Sequence, residues 1–471
     1  MLIRLKFNKL HTICENLNFE KNEKTFMKKI AILGAGRSSS SLIRYLLEQA
    51  EQNNWFLRVC DRDLETAKNK IGNHKQAEVS EFDVFDKAEV EREVKQADLI
   101  VSMLPASMHI HVIEEAIRQK KNVVTPSYIS SEVKALDSAA KEAGVLIMNE
   151  LGVDPGIDHM SAMKLINEIK EEGGEILNFE SFTGGLVAPE SDNNPWNYKF
   201  TWNPRNVVVA GQGGCAKFVE EKQFKYIPYN KLFRRTEFID IDGFGKFEGI
   251  ANRDSLKYQS VYGLENINTI YRGTLRRVGF SRAWDVFVQI GATDDSYTME
   301  NTEEMTYRDF INSFLAYSPS DSVELKLRHY LKIEQDDTLW EKLVWLGIFE
   351  ETKVGLKNAT PAQILQKILE EKWTLEPEDK DMIVMWHKLV YKTKSGDRKE
   401  IQSSMVSIGE DQTYTAMSNT VGLPVGICCK LILNGTINST GVDLPISKQY
   451  YEPILEELKA YDISFNEKEV K

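Results

Sequence analysis

Met27-Lys-Lys-Ile-Ala-Ile-Leu-Gly-Ala-Gly-Arg-Ser-Ser39 decides the fold. A basic start leads directly into the apolar run Ile30–Leu33, which reads as a buried first strand. Gly34 and Gly36 follow at its end, and Ser39–Gln49 then has apolar residues at helical spacing. Strand, glycine turn and helix is the arrangement in which backbone N–H groups at a helix N-terminus meet a pyrophosphate. Ser39 stands where a third glycine or alanine is usual, so the loop alone also fits a plain strand-to-helix turn.

The flanking sequence favours the nucleotide reading. Trp55–Cys60, Leu99–Leu104, Asn122–Thr125 and Val145–Met148 are strand-like, while His109–Gln119 and Ser131–Ala143 show helical spacing. This alternation predicts a parallel sheet with helices on both faces. Asp61 lies at the end of the second strand, 22 residues beyond Ser39, where an acid can bond ribose hydroxyls and so favours NAD. Arg62 beside it can instead meet a 2′-phosphate or remain a solvated surface arginine, which leaves NAD and NADP both open.

After Asp154-Pro-Gly the pattern changes. Phe179–Thr183, Val207–Ala210, Phe238–Ile241 and Asp285–Ile290 read as strands separated by Gly-, Asn- and Pro-rich connections, which predicts a mixed-sheet second unit. From Thr302 to about Leu389, Glu304–Ala316, Val323–Ile333, Thr338–Trp345 and Pro361–Glu370 read as helices. Thr415–Leu433 is a long helix candidate, and Gln449–Ala460 is a last one.

Composition narrows the function. The chain has 471 residues, enough for about three domains. A formal net charge of −12 without a basic run argues against nucleic acid as a partner. Five cysteines without a CxxC pair suggest neither disulfides nor a zinc site, and they read as reduced thiols in a cytoplasm. No run of 18 apolar residues calls for a membrane, and residues 1–26 lack the uninterrupted apolar region of a signal peptide. Asn434-Gly-Thr and Asn438-Ser-Thr fit the glycosylation pattern but read as loop chemistry.

Two polar constellations stand at the carboxyl ends of the strands Asn122–Thr125 and Val145–Met148, the edge where open parallel sheets bind ligands. The first is Val123-Val-Thr-Pro-Ser127-Tyr128-Ile-Ser; the second is Met148-Asn-Glu-Leu-Gly152-Val-Asp154-Pro-Gly156-Ile-Asp158-His159. Asp158 is expected only to cap the following helix, and His159 to have a structural role at its start. Further on come Phe182-Thr-Gly-Gly185, Asp192-Asn-Asn-Pro195-Trp-Asn-Tyr198-Lys199, Ala251-Asn-Arg253-Asp-Ser255 and Tyr271-Arg272-Gly-Thr274-Leu275-Arg276.

Together with Thr415-Ala-Met417 through Val421-Gly-Leu-Pro424, these strings resemble the saccharopine dehydrogenase family of the L-glutamate-forming type, also called saccharopine reductase, from Met27 to the C-terminus. The resemblance implies an α/β fold: a variant Rossmann dinucleotide-binding domain over 27–155 completed by about 412–471, a mixed α/β substrate and dimerisation domain over 156–300 and 390–411, and a helical insertion over 301–389. Residues 1–26 would be a disordered extension. Substrate would touch Ser127, Tyr128, Asp154, Arg253, Thr274, Leu275 and Arg276. The dinucleotide would touch Gly34, Gly36, Arg37, Ser38, Asp61, Arg62, Leu104, Pro126 and Val153. This chain departs from some relatives in having Pro126 before Ser127, and Asp61-Arg62 where NADP-using relatives have an arginine with a small polar neighbour.

The implied reaction is the NAD(P)-dependent interconversion of saccharopine with 2-aminoadipate 6-semialdehyde and L-glutamate, in a cytoplasmic homodimer without metal, nucleic acid or membrane. Saccharopine is a secondary amine with three carboxylates, so guanidinium forks from Arg253 and Arg276 and an acid near the amine suit it. Asp154 and Tyr128 are the catalytic candidates, with Lys199 and His159 also open as the base. A carboxynorspermidine- or homospermidine-type imine oxidoreductase, with fewer carboxylate-binding arginines, and a non-catalytic dinucleotide-binding module are the alternatives.

Overall fold

A computed structural model describes residues 27–470; the expected extension 1–26 lies outside the described residues. In the first unit the strands are β1 (Lys28–Leu33), β2 (Trp55–Asp61), β3 (Ala77–Glu81), β4 (Leu99–Ser102), β5 (Asn122–Val124) and β6 (Leu146–Met148). The second sheet is built from β7 (Glu175–Val187), β8 (Cys215–Glu220), β9 (Gln223–Pro228), β10 (Thr236–Ile241), β11 (Gly245–Ala251), β12 (Thr269–Arg277), β13 (Asp381–Lys392) and β14 (Arg398–Ile408). The C-terminal segment adds β15 (Gly441–Asp443) and β16 (Asn466–Val470), one to each sheet.

The first sheet runs β15-β6-β5-β4-β1-β2-β3 with every pairing parallel. β1 shows why such strands are apolar throughout: after two exposed lysines, Ile30 to Leu33 are all buried, as a strand covered on both faces requires. The C-terminal helix Ala416–Leu433 completes one face by lying on the helix Ser40–Asn53. A Cβ at Gly422 would come within 2.7 Å of the Leu42 nitrogen, so glycine lets the two helices approach. This is therefore a Rossmann-type sheet whose edge strand comes from the chain's C-terminal part.

The second sheet follows β10-β11-β12-β7-β13-β14-β16, with the β8–β9 hairpin joined through β12. β12 and β7 are parallel and β7 and β13 antiparallel, so the sheet is mixed. One face packs on the helix Ile157–Glu171 and the first unit, through residues such as Phe179, Ile383 and Met385. The other packs Phe182, Leu275 and Trp386 against an aromatic core of Trp196, Phe280, Trp284 and Trp373 under the helical segment.

Those helices start where their caps dictate. Thr306 with Asp309 and Thr360 with Gln363 form reciprocal capping boxes ahead of Tyr307–Asn312 and Pro361–Trp373, and Ser322 and Asp337 cap Val323–Leu331 and Thr338–Trp345. Asp381 on β13 accepts from the Ala416 nitrogen at 2.5 Å and the Met417 nitrogen at 3.0 Å, tying the second sheet to the start of the C-terminal helix.

Several expected strands are corrected. Val207 and Val208 end a helix, Pro204–Val208, and Val209 and Ala210 form the turn after it, because Asn203 caps the helix and Pro204 opens its first turn. Asp285–Ile290 is the end of the helix Phe280–Ile290, where Phe280, Ala283, Trp284 and Phe287 form one buried stripe at i, i+3, i+4 and i+7. The helical segment also ends earlier than Leu389: its last helix stops at Trp373, and the run from Asp381 is a central strand.

Candidate active site

The loop after β1 is shaped by two glycines with different tasks. Gly34 has φ +103°, and a Cβ there would lie 2.9 Å from the Met103 carbonyl oxygen. At Gly36 a Cβ would meet nothing within 4 Å, so the backbone faces open space ahead of the helix Ser40–Asn53. Ser39 does the work of the missing third small residue: its hydroxyl donates to the Gly36 carbonyl at 2.8 Å. Lys70 Nζ donates to the same carbonyl and, at 3.1 Å, to Ser39 Oγ. Burial lowers the Lys70 pKa to about 8, with Asp61 opposing the shift.

Asp61 accepts from the Ala35 nitrogen at 2.5 Å, so the acid at the end of β2 is fixed against this loop. Leu104, Pro126 and Val153 stand after β4, β5 and β6, at the same carboxyl edge. A Cβ at Gly152 would lie 3.1 Å from Pro126 Cβ, which shows how closely the last two connections pack. The open cradle at Gly36 and the acid beside it fit a nicotinamide dinucleotide. Arg37 is exposed and Ser38 half-buried on that loop, both available to the phosphates, and Arg62 is an exposed partner of Asp83.

Next to this cradle lies a buried charge cluster. The Tyr128 hydroxyl donates to Asp154 Oδ1 at 3.0 Å. Arg272 Nη2 donates to Asp154 Oδ1 at 2.7 Å and to Asp158 Oδ2 at 2.5 Å. Asp158 Oδ1 accepts from the Gly156 nitrogen at 2.6 Å. Its expected role as a mere cap is corrected: besides that bond at the helix start, it is the second anchor of Arg272. Two carboxylates around one guanidinium leave the cluster one negative charge in excess, which suits an amine.

The electrostatics follow from this packing. Burial raises the Asp154 pKa above the ordinary carboxyl value, and the opposing pull of Arg272 does not cancel it. Burial, assisted by the Asp154 charge, pushes the Tyr128 hydroxyl well above its usual value, so it is a proton donor at neutral pH although the residue is 39% exposed. Burial works against the Arg272 cation, but Asp154 and Asp158 outweigh it and hold its pKa well above normal. Its ring neighbour Tyr258 lies 4.1 Å away.

Arg272 opens a row. On β12, residues two apart share a face, so Arg272, Thr274 and Arg276 line one side, while Leu275 points the other way and is fully buried in the aromatic core. Of Leu275, the backbone carbonyl, which accepts from Arg276 Nη1 at 2.8 Å, and not the side chain lies on the side of this row. Arg276 is 8% exposed, lies over Tyr198 at 5.0 Å, and makes no ion pair among the described residues. Thr183, paired with Thr274 across β7 and β12, and Thr201 each bury a hydroxyl without a hydrogen-bond partner in the protein. A buried guanidinium without a carboxylate and two unpartnered hydroxyls suit a carboxylate-bearing ligand.

The remaining candidates separate. Arg253 is exposed beside Lys257, at the rim. Ser127 Oγ lies 2.7 Å from His109 Nε2, whose Nδ1 meets Ser102 Oγ at 2.8 Å; burial lowers the His109 pKa to about 4 and keeps the ring neutral. His159 is enclosed by Glu150 Oε2 at 2.7 Å and the Tyr262 hydroxyl at 2.6 Å, a scaffold position. Lys199 is corrected as a base: its buried ammonium is paired with Asp379 at 2.5 Å. The sequence reading missed Arg272, although placing Thr274 and Arg276 on one strand face puts Arg272 on it too.

Comparisons with known proteins agree on one family. Residues 30–148 match the family model of the saccharopine dehydrogenase NADP binding domain, and residues 152–463 that of the saccharopine dehydrogenase C-terminal domain. The saccharopine dehydrogenases [NADP(+), L-glutamate-forming] of Pyricularia oryzae and Schizosaccharomyces pombe are each 33% identical, covering 94% of this chain and 99% of theirs. The mitochondrial alpha-aminoadipic semialdehyde synthase of Rattus norvegicus is 32% identical over 93% of this chain but 47% of its own length. The apo saccharopine dehydrogenase (L-Glu forming) from Saccharomyces cerevisiae superposes with a TM-score of 0.85 at 30% identity, covering 94% of this chain and 100% of that one.

Proposed function

Because this chain belongs to the saccharopine dehydrogenase family, we propose that it is an NAD(P)-dependent oxidoreductase interconverting saccharopine and water with 2-aminoadipate 6-semialdehyde and L-glutamate. The observation that carries the reading is the Tyr128–Asp154–Arg272 cluster between the Gly36 cradle and the row Arg272, Thr274, Arg276.

A nicotinamide dinucleotide held by the Gly34–Ser39 loop and Asp61 would supply the hydride acceptor for the carbon next to the secondary amine. The chain's own residues prepare that carbon. Asp154 accepts a proton from the amine, whose neutral form is the one that gives up hydride, and Arg272 and the Tyr128 hydroxyl fix the carboxylate's orientation. Tyr128, with its high pKa, returns a proton on the way to products. Arg276, with Thr183 and Thr274, holds one carboxylate, while Arg253 meets another at the rim; Ser127, oriented by His109, adds a hydroxyl. Lys257 lies 4.7 Å above the Tyr128 ring and contributes a further cation.

We extend the reading to a homodimer, supported by Phe224, Tyr226 and Phe238, which stand exposed on β9 and β10. Sedimentation should then give twice the chain mass, and a monomer at micromolar concentration contradicts it. Cys60, Cys215, Cys428 and Cys429 are all free, which supports a cytoplasmic setting testable by cell fractionation. The net charge of −12 supports the absence of a nucleic-acid partner, and the long apolar helix Ala416–Leu433, mostly buried inside the protein, supports the absence of a membrane one.

The bond that breaks tests the activity. Saccharopine and oxidised cofactor should yield equal amounts of L-glutamate and the semialdehyde; lysine and 2-oxoglutarate instead would contradict the assignment.

A further inference from the structure

We infer that this chain selects NAD(H) over NADP(H), with Asp61 excluding a 2′-phosphate and Asp83 reinforcing the choice by holding Arg62 away. The inference rests on the dinucleotide reading of the Gly34–Ser39 loop, and it is opposite to the cofactor in the names of the two fungal relatives.

Asp61 is not a mobile surface acid. Its Oδ2 accepts from the Ala35 nitrogen at 2.5 Å and its Oδ1 from the Asp63 nitrogen at 2.8 Å. Each oxygen keeps a second lone pair, so the carboxylate can still accept from ribose hydroxyls. It cannot turn aside for a phosphate without giving up both backbone bonds, and a doubly charged group would therefore meet a fixed like charge.

Two of the cations that could neutralise that phosphate, Arg62 and Lys70, are engaged elsewhere, while Arg37 lies on the Gly34–Ser39 loop itself. Arg62 Nη2 donates to Asp83 Oδ1 at 2.6 Å, and its guanidinium lies 5.8 Å from the Phe85 ring. Asp83 is itself held, accepting from the Phe85 nitrogen at 3.0 Å and donating its own nitrogen to Glu89 Oε2 at 2.7 Å. Lys70 is bound to the Gly36 carbonyl and Ser39. The other facing charge, Asp63, caps the helix Leu64–Ile71 through the Glu65 and Thr66 nitrogens and adds a further negative group.

The two acids act with different weight. The Arg62–Asp83 pair is exposed and therefore weak by itself, so a phosphate could compete for Arg62 once Asp61 is gone. Asp61 sets the preference, and Asp83 tunes it.

Direct titration of the intact protein with NADH and NADPH, followed by nicotinamide fluorescence, tests this without turnover. The wild type should bind NADH at least tenfold more tightly. Asp61→Ser should raise NADPH affinity and bring the ratio close to one, and adding Asp83→Asn should raise NADPH affinity about threefold more with NADH unchanged. Arg62→Ala in the Asp61→Ser background should remove the gain for NADPH. Thermal melting of each variant reports folding. Wild-type binding of NADPH as tight as or tighter than NADH overturns the inference and leaves the enzymatic reading intact. An unchanged NADPH affinity on adding Asp83→Asn overturns the role of Asp83. Binding of neither nucleotide overturns the dinucleotide reading as well.

Discussion

Arg272 on the second sheet and Asp154, in the loop after β6 of the first, meet at 2.7 Å, Nη2 to Oδ1, and Asp158 takes the same nitrogen at 2.5 Å. One guanidinium thus joins the second sheet to the loop that follows β6 of the first. Arg272→Met leaves two buried carboxylates without their cation, and should cost about 3–5 kcal/mol of stability. Urea denaturation measures it; a loss below about 1 kcal/mol would show that the pair adds little.

Asp154→Asn keeps the shape and removes the charge. Turnover should fall by roughly 100-fold or more, the range of a lost general base. Since burial raises the Asp154 pKa, the acidic limb of the wild-type kcat/KM profile should lie above the pH of an ordinary carboxyl, with activity lost as the pH falls through it. The residual activity of the Asn variant should lack that limb; its persistence would assign it to another group.

Arg276→Met should act on substrate and spare the dinucleotide. Arg276 is buried without an acidic partner, so losing its fork costs on the order of 2–5 kcal/mol, roughly 30-fold or more in kcat/KM. Lys should rescue partly because it lacks the planar fork. Arg253→Met, at an exposed rim position, should cost less than Arg276→Met. Steady-state kinetics with circular dichroism decide between these outcomes, and a normal saccharopine KM in both variants would move the carboxylate site elsewhere.

Gly36→Val places a branched side chain in the open space above the loop, where nothing lies within 4 Å of the glycine's missing Cβ. Fluorescence titration should then show dinucleotide binding abolished while the melting temperature changes little. Unchanged affinity would place the cofactor elsewhere.

His387 makes stability depend on acid. It is fully buried, bonded to Ser161 Oγ at 2.7 Å, and burial lowers its pKa from 6.5 to about 3. The unfolded chain therefore takes up this proton first as the pH falls below about 6.5, and the folded state loses stability from there down to about 3, on the order of 5 kcal/mol over the window. His387→Gln should flatten this part of the stability profile measured by denaturant titration at stepped pH. An equally steep profile in the variant would assign the loss to other groups.

The legible part of the sequence was the part with strong local signals. Ile30–Leu33 and its glycines announce the parallel sheet because a doubly covered strand must be apolar throughout, and Asp154 and Tyr128 follow from their place at strand ends. β3, Ala-Glu-Val-Ser-Glu, leaves little trace in the sequence because an edge strand with one exposed side carries a weak apolar signal. Arg272 and Asp158 were undervalued for another reason. Their pairing joins residues 114 positions apart, and nothing local to either marks the partner.

Absorbance at 340 nm shows whether saccharopine is oxidised by this protein. With the purified protein, saccharopine and an oxidised dinucleotide, a saccharopine-dependent rise should appear, matched mole for mole by L-glutamate. No rise with either cofactor, or a rise only with carboxynorspermidine or homospermidine in place of saccharopine, would contradict it.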